Sequence, residues 1–594
     1  MCPVRKVTHF PQGFLSVSHD RLWTQPEKGA FVASRMCCRI AELHSNRRPE
    51  LKAPANRASI LTLTQPAQTA ETSTTVGASH SMQSASRLLL VGSGTYGVTN
   101  FALKAVNFLL ITVFTRYLSP GDYGAISLAE IIAATLATLC GLGLDAALRR
   151  LYFHYAGEPA AQRRYVSSVL RFGAGLTIAM VALAFTLGPY LLKRIAPHFA
   201  VSFFPYIALA IGTAAATQIV DYRLGLYQSE QRPLAFSSMA LASFLMTASS
   251  ALIFVVMLRR GTAGMLTGKL VGAAGSLLVA VFLSRKWWVG GFEWKFVRES
   301  LPIALPIVPH LLLALGLVVA DRFILEYYRN LDEVGVYSVA YTFGMVMYLV
   351  TTSISQAWSP LFYDVARGGQ EGQRVLGRLF AGLSLLLVTI AIFGSLIAQE
   401  VVSHVLDHRY SSAGRLIPWI IAGYLFHALY GILQPSLLQA RRVGFLWVVS
   451  CVALVANIGL NFLWIPRWGM YGAACATMVA YVTEAALMYV YAQRVYPLSF
   501  SRTRLAAALA IFGGVLWITQ VQWQTLRLPI LGITLVISIS LLVLMGRSEC
   551  VSLLGSLRRK SRSATFDGIG GKGYSTASEQ PASAPTEMIP PMID

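Results

Sequence analysis

Hydrophobic stretches alternate with short polar turns along most of this chain. A helix of about 20 apolar residues crosses the roughly 30 Å hydrocarbon core of a bilayer. We therefore expect an all-α polytopic membrane protein with about 14 transmembrane helices. The predicted spans are roughly 88–114, 124–144, 169–191, 201–220, 234–257, 262–283, 300–320, 335–358, 376–398, 414–436, 444–465, 469–490, 504–521 and 527–545.

The composition supports this interpretation and limits the partners. Of the 594 residues, 55% are hydrophobic and 13% are charged, and a soluble domain carries about 25% charged residues. The net charge of +22 comes from Lys and Arg in the loops, which indicates topology and an attraction to anionic membrane lipids. We therefore expect no nucleic-acid partner. The even-numbered loops carry the excess, which places them and both termini in the cytoplasm.

No motif indicates a cofactor or a metal. The seven cysteines show neither disulfide nor metal-ligand spacing. The sequence "GSGTYG" at Gly92–Gly97 has the spacing of a dinucleotide-binding turn, but it lies in a predicted span with no strand before it. His404 and His408 are spaced like metal ligands, but no third ligand is near them in the sequence.

One phrase occurs twice in the chain. "FTRYLSPGDYGAISLAE" begins at Phe114 and "LEYYRNLDEVGVYSVAY" begins at Leu325, so that Gly124 corresponds to Gly335 and Ser127 to Ser338. Nearly the same offset relates three further pairs, which are Gln228 with Gln439, Gly261 with Gly469, and Gly264 with Gly472. Together these pairs indicate an internal duplication.

The offset covers six predicted spans, and an even number returns the chain to the same side of the membrane. The repeats are therefore parallel, with their axis along the membrane normal. We expect two six-helix bundles, 87–290 and 291–495, around a central cavity, followed by two extra helices in 496–546. Helix breakers occur at matching places in the first and seventh spans: Gly92, Gly94 and Gly97, and Pro302, Pro306 and Pro309.

The two ends of the chain differ from the rest. Residues 1–86 are polar and rich in Ser, Thr and Pro, which is typical of a disordered extension. Met82 begins a short polar lead into the first span, so it is a candidate start that would leave out 1–81. Residues 547–594 are also polar, and we expect a disordered cytoplasmic tail.

Three phrases resemble the Wzx-type polysaccharide transporters, which belong to the multidrug/oligosaccharidyl-lipid/polysaccharide flippase superfamily. They are "TRYLSPGDYGAISL", "DRFILEYYRNLDEVGVYSVAY" followed by "SQAWSPLFY", and "NFLWIPRWGMYGAACATMVAYV". The resemblance covers roughly 87–500. The polar leader departs from the family pattern, which favours the start at Met82.

The resemblance implies a flippase for polyprenyl-pyrophosphate-linked oligosaccharide in the bacterial inner membrane, serving the biosynthesis of surface polysaccharide such as lipopolysaccharide O-antigen or exopolysaccharide. It also implies a polysaccharide polymerase and a chain-length regulator as partners. The family is one of transporters, so we do not expect an enzyme.

A pyrophosphate headgroup with sugars needs a polar, cationic path, because an unpaired anion in hydrocarbon is very costly. The candidate substrate-binding residues are Lys104, Lys269, Arg223, Arg322, Asn107 and Gln356. Each has a plainer interpretation: snorkelling of Lys or anchoring of Arg at the interface, and amide bonds between helices.

Candidate residues for ion coupling are Glu130, His310 and Glu484, because a carboxylate or imidazole inside a span can exchange a proton. Glu130 has the alternative of simply pairing with Lys104 or an amide, and His310 that of packing against a neighbouring helix.

Two other functions remain open. A small-molecule or drug-cation antiporter of the same superfamily would favour carboxylates over cations in its cavity. A membrane glycosyltransferase or polymerase would need a long extramembrane loop with paired acid and base residues. The loops here are short and lack such pairs.

Overall fold

The computed structural model describes residues 95, 97–440, 442 and 444–520, together with 529, 532–537, 539–540 and 543. Within this part, thirteen helices are long and apolar enough to span a membrane. They are α1 Gly97–Tyr117, α2 Pro120–His154, α3 Pro159–Ile195, α4 Phe203–Ser229, α5 Pro233–Met257, α6 Gly261–Trp288, α7 Ile307–Tyr328, α8 Leu331–Ala366, α9 Gly369–Val405, α10 Ala413–Gln439, α11 Gly444–Trp468, α12 Met470–Val495 and α13 Arg502–Gln520.

The all-α polytopic membrane fold is confirmed. Of the predicted fourteenth span, 527–545, the structure describes residues 529, 532–537, 539–540 and 543, whereas the extension 1–86 and the tail 547–594 lie outside the described residues. Several helices are longer than their predicted spans; α9, for example, runs from Gly369 to Val405 where 376–398 was expected. Polar residues extend these helices beyond the apolar segment that the sequence pattern detects.

The predicted seventh span, 300–320, is divided in the structure. A short helix, Trp294–Ala304, ends before Pro306, and α7 begins at Ile307. Proline has no backbone N–H to continue a helix, and its ring disfavours a helical residue before it. The break therefore separates a short amphipathic segment from the membrane-spanning helix.

A sharp bend divides α2. Leu142 and Gly143 both have positive φ, at 45° and 68°, and a Cβ at Gly143 would lie 2.7 Å from the carbonyl oxygen of Ala304. Glycine is the residue that meets both requirements, because it tolerates positive φ and leaves room for the neighbouring backbone. The bend thus lets the second half of α2 pack against the short helix that precedes α7.

The two copies of the repeated phrase start their helices in the same way. Ser119 caps α2 and accepts a hydrogen bond from the backbone N–H of Asp122, while Asn330 caps α8 and accepts one from Glu333. Such caps satisfy backbone N–H groups that a helix leaves unpaired. The duplication inferred from the sequence thus includes the local geometry.

The carboxylate three residues after each cap also binds a second helix. Asp122 accepts a hydrogen bond from Thr262 Oγ1 at the start of α6 (2.6 Å), and Glu333 accepts one from Met470 N at the start of α12 (2.9 Å). The glycines immediately before these positions, Gly261 and Gly469, both have a φ of 54°.

We refer to α1–α6 as the N-terminal half and to α7–α12 as the C-terminal half. The halves meet mainly where α2 packs along α8, with a smaller contact between α2 and α7. α13 packs against α9 and α10 on the C-terminal half. The α2–α8 contact is therefore the seam at which the candidate site lies.

Candidate functional site

Equivalent residues of the two repeats touch each other at the seam. Ser338 Oγ on α8 donates a hydrogen bond to Ser127 Oγ on α2 over 2.9 Å. One turn earlier, Gly124 and Gly335 are in backbone contact, and a Cβ on either would overlap the opposite helix. The halves are thus closed at the ends of α2 and α8 that follow the α1–α2 and α7–α8 turns.

Two loops cross this closed end in opposite directions. The α9–α10 loop reaches α1, where Arg409 Nη2 donates to the carbonyl oxygens of Thr115 (3.2 Å) and Arg116 (3.3 Å). The Arg409 guanidinium also hydrogen-bonds Asp407 and holds the pKa of that carboxyl below its usual range. The α3–α4 loop reaches α7, where the Ala200 N–H donates to Glu326 Oε1 (2.7 Å).

A cavity of about 410 Å³ lies between the halves, next to the Ser127–Ser338 contact. Side chains from α1, α2, α5, α6, α7 and α8 line it. Four of the predicted site residues face it: Asn107, Glu130, Lys269 and Arg322. Other polar groups on its wall are Ser127, Thr247, Ser338, Tyr341 and Thr342.

The charged residues of the N-terminal half in this cavity form an ion pair. Lys269 Nζ on α6 hydrogen-bonds Glu130 Oε1 on α2. The two side chains retain 27% and 40% exposure, so both remain accessible from the cavity. The sequence offered Lys104 or an amide as the partner of Glu130; the structure places Lys269 there instead.

Arg322 brings the charge of the C-terminal half to the same cavity. It is 6% exposed, and its guanidinium lies 4.3 Å from the ring centroid of Tyr341. Arg322 Nη1 donates to the carbonyl oxygen of Val318 (2.5 Å) and to Asp321 Oδ1 (3.1 Å). These contacts fix the orientation of a planar cation that is largely removed from water.

Sequence reasoning missed Asp321, although an acidic residue directly before Arg322 within a predicted span was a usable signal. Its side chain is fully buried and accepts hydrogen bonds from Tyr337 OH (2.5 Å) and Thr477 Oγ1 (3.3 Å). Thr477 in turn accepts from Asn457 Nδ2 (3.2 Å), and Asn461 Nδ2 donates to Asn457 Oδ1 (2.9 Å). A network of α7, α8, α11 and α12 therefore supports Arg322.

A second polar group lies beside the seam. Lys104 on α1 is exposed, and its Nζ lies 5.9 Å from the ring centroid of Tyr348 on α8. The Tyr348 ring contacts His427 on α10, with 6.1 Å between centroids, and His427 Nδ1 lies 2.9 Å from Glu484 Oε2 on α12. Lys104 and Glu484 thus belong to one cluster, although Glu484 itself is sealed from solvent.

The remaining predicted residues lie elsewhere. Arg223 does not line the cavity; it is buried at the end of α4, where its Nη1 is 3.3 Å from Glu230 Oε1. Gln356 is exposed on α8 and does not line the cavity either. His310 lies on α7, but its side chain falls outside the described part of the structure.

The family model described as "Polysaccharide biosynthesis protein" matches residues 89–365, which include α1–α7 and nearly all of α8. The resemblance inferred from the sequence is thereby confirmed. No curated protein matches the chain.

Solved structures show the same fold. The lipid II flippase MurJ in its inward closed conformation is 13% identical, with a TM-score of 0.60 over 78% of this chain and 100% of that one. A multidrug resistance MATE family transporter of the MOP superfamily, in an inward-facing conformation, is also 13% identical, with a TM-score of 0.50 over 70% of this chain and 99% of that one. Both similarities concern the fold.

Proposed function

We propose that this protein flips a polyprenyl-pyrophosphate-linked oligosaccharide across the bacterial inner membrane by alternating access, for surface-polysaccharide biosynthesis. The observation that supports this most is the cavity at the seam, into which cations from both halves project. Lys269 comes from the N-terminal half and Arg322 from the C-terminal half. A ligand that bridges them holds the two halves together, which is what a transport cycle requires of its cargo.

The chemistry of the cavity suits a phosphorylated sugar. Lys269 and Arg322 pair with phosphate oxygens, and Lys104 adds a third cation from α1. Asn107 and Thr342 offer hydrogen bonds to sugars. The lipid chain stays in the bilayer, because only the headgroup needs protection from hydrocarbon. Gln356, exposed on α8 about two helix turns beyond Tyr348, is a further contact for the headgroup on its way in.

The direction of opening follows from the predicted topology. With both termini and the even-numbered loops in the cytoplasm, the closed end at Gly124 and Gly335 faces outward. The ligand then enters from the cytoplasmic side and leaves when this end opens. In such a pathway a polymerase and a chain-length regulator act on the flipped product.

One observation favours the alternative of a drug-cation antiporter. Glu130 faces the cavity, and a carboxylate in this place is suited to a cationic ligand. However, Glu130 is engaged by Lys269, and a third charge, Arg322, is cationic. The charged side chains that face the cavity therefore favour an anion, with Asp321 balancing Arg322 from behind the cavity wall.

The test is complementation of a bacterial strain that lacks its own oligosaccharide-lipid flippase. The chain is expressed from Met82, as wild type and as Lys104→Ala, and surface polysaccharide is measured at equal protein levels. Restoration by wild type and a loss with Lys104→Ala support both the flippase and the cationic path. Equal restoration by the variant removes Lys104 from the path. If strains with several different glycans show no restoration while a drug-sensitive strain becomes resistant, the antiporter replaces the flippase.

A further inference from the structure

A buried carboxylate and a histidine form a pair inside the C-terminal half. The side chain of Glu484 is 3% exposed and that of His427 is 30% exposed, with 2.9 Å between Nδ1 and Oε2. The imidazole is therefore partly exposed while the carboxylate is sealed. Because an uncompensated charge is costly to bury, the proton content of this pair decides whether the site is neutral or carries a net negative charge.

The groups around the pair are mostly aromatic and neutral. His427 contacts the rings of Tyr348 on α8, Tyr481 on α12 and Tyr430 on its own helix. The facing part of α9, residues 379–398, contains no ionisable side chain. Between residues 444 and 466, α11 carries Cys451 as its one ionisable side chain, and on α13 Arg502 lies against Tyr489. These elements therefore bring little charge to the pair. α7 brings a buried ion pair instead: Arg322, bonded to Asp321, lies against Tyr341, whose ring contacts Tyr424 and through it Tyr348 and Tyr481.

A cation approaches from the other half. Lys104 belongs to α1, and its Nζ lies over the Tyr348 ring. The same ring also contacts His427. Tyr348 thus stands between an exposed ammonium group and the buried pair. Lys104 can balance the charge of the pair only when α1 lies against α8, whereas a proton can balance it in any arrangement of the halves.

We propose that His427 and Glu484 form a proton-binding site, and that the proton and Lys104 compete for the negative charge of this pair. When the proton leaves, the pair attracts Lys104 and with it α1. When the proton binds, Lys104 is released to meet an anionic ligand at the seam. This mechanism rests on the proposed function for the identity of that ligand, whereas the proton site itself does not.

The proton site is tested on the purified full chain in lipid nanodiscs, by infrared difference spectra recorded between about pH 8 and pH 5, where histidine titrates. We expect Glu484→Gln to remove a carboxyl signal and His427→Gln to remove an imidazole signal. The control Glu371→Gln changes an exposed carboxylate on α9 and keeps both signals. Spectra that are the same in wild type and in both pair variants overturn the site.

The competition is tested with Lys104→Gln. We expect this variant to take up the proton at a higher pH than wild type, because the cation that competes with the proton is lost. Lys193→Gln changes an exposed lysine near the end of α3 and leaves that pH unchanged. If both variants behave like wild type, Lys104 does not compete with the proton.

The complementation assay separates this inference from the proposed function. If the chain takes up the proton but restores surface polysaccharide in none of the strains, the proposed function fails and the proton site stands. If wild type and Glu484→Gln restore polysaccharide with the same dependence on external pH, the coupling fails and the flippase stands. We expect restoration by wild type to depend on external pH and restoration by Glu484→Gln to lose that dependence.

Discussion

Ser338 Oγ donates a hydrogen bond to Ser127 Oγ over 2.9 Å, and the two serines stand 211 residues apart at the same place in the two repeats. A two-fold rotation moves a point by twice its distance from the axis. Two equivalent residues can therefore touch only if they lie close to the axis. For the parallel repeats predicted from the sequence, this contact and that of Gly124 and Gly335 place the two-fold axis at the seam.

We predict that a disulfide between Ser127→Cys and Ser338→Cys locks this end of the transporter. The hydroxyl contact places the two β-carbons close to the separation that a disulfide requires. In a background without the native cysteines, oxidation should cross-link the pair and stop transport, and reductant should restore it. Each single variant serves as the control. Full transport by a fully cross-linked protein would show that this end does not open.

We predict that Gly335→Ala weakens the closed seam. A Cβ at this position overlaps the backbone of Pro120 and approaches that of Gly124, and such overpacking costs about 1–3 kcal/mol. Thermal unfolding in detergent should show the loss, and a cysteine reagent added from outside should reach Ser127→Cys more readily. Gly382→Ala on α9 is the matched control, because nothing lies within 4 Å of its added Cβ. Equal unfolding temperatures in the two variants would contradict the tight contact.

We predict that Glu230→Ala destabilises the N-terminal half. The side chains of Glu230 and Arg223 are 7% and 3% exposed, and Trp287 Nε1 also donates to Glu230 Oε1 (3.0 Å). Removing the carboxylate leaves a buried guanidinium without its counter-ion, a change that costs about 3–5 kcal/mol.

The double variant Arg223→Met with Glu230→Leu tests the cause of that loss, since apolar replacements remove both charges and should recover much of the stability. Glu371→Ala, which breaks an exposed pair with Arg374, should change stability by less than about 1 kcal/mol. A double variant as unstable as Glu230→Ala would point to packing rather than charge.

We predict opposite roles for the two members of the cavity ion pair. Lys269→Ala removes a phosphate ligand and should reduce transport at least about tenfold, which corresponds to the loss of one charge-assisted hydrogen bond. Glu130→Gln removes the competitor for Lys269 and should retain transport at low substrate supply. Surface polysaccharide at equal protein levels is the measurement, with Lys193→Ala as the control. Equal losses in both variants would make the ion pair structural.

Much of the fold could be predicted from the sequence, because it depends on local pattern. A run of about 20 consecutive apolar residues is long enough to span a membrane as a helix. Counting such runs predicted the thirteen membrane-spanning helices found in the described residues. Repeated small residues such as Gly261 and Gly469 exposed the duplication, because the same backbone turn needs glycine in both copies. The sequence also identified which ionisable residues lie inside spans, among them Lys269, Glu130 and Arg322.

Only the tertiary structure decided which of these residues meet. Glu130 pairs with Lys269 rather than Lys104, Arg223 is bound by Glu230 away from the cavity, and Glu484 meets His427. These pairings depend on the rotation and depth at which helices pack, which small-residue contacts over the whole bundle determine. A single helix carries its charges and its length in its own sequence, whereas the partner of each charge is set by the neighbouring helix.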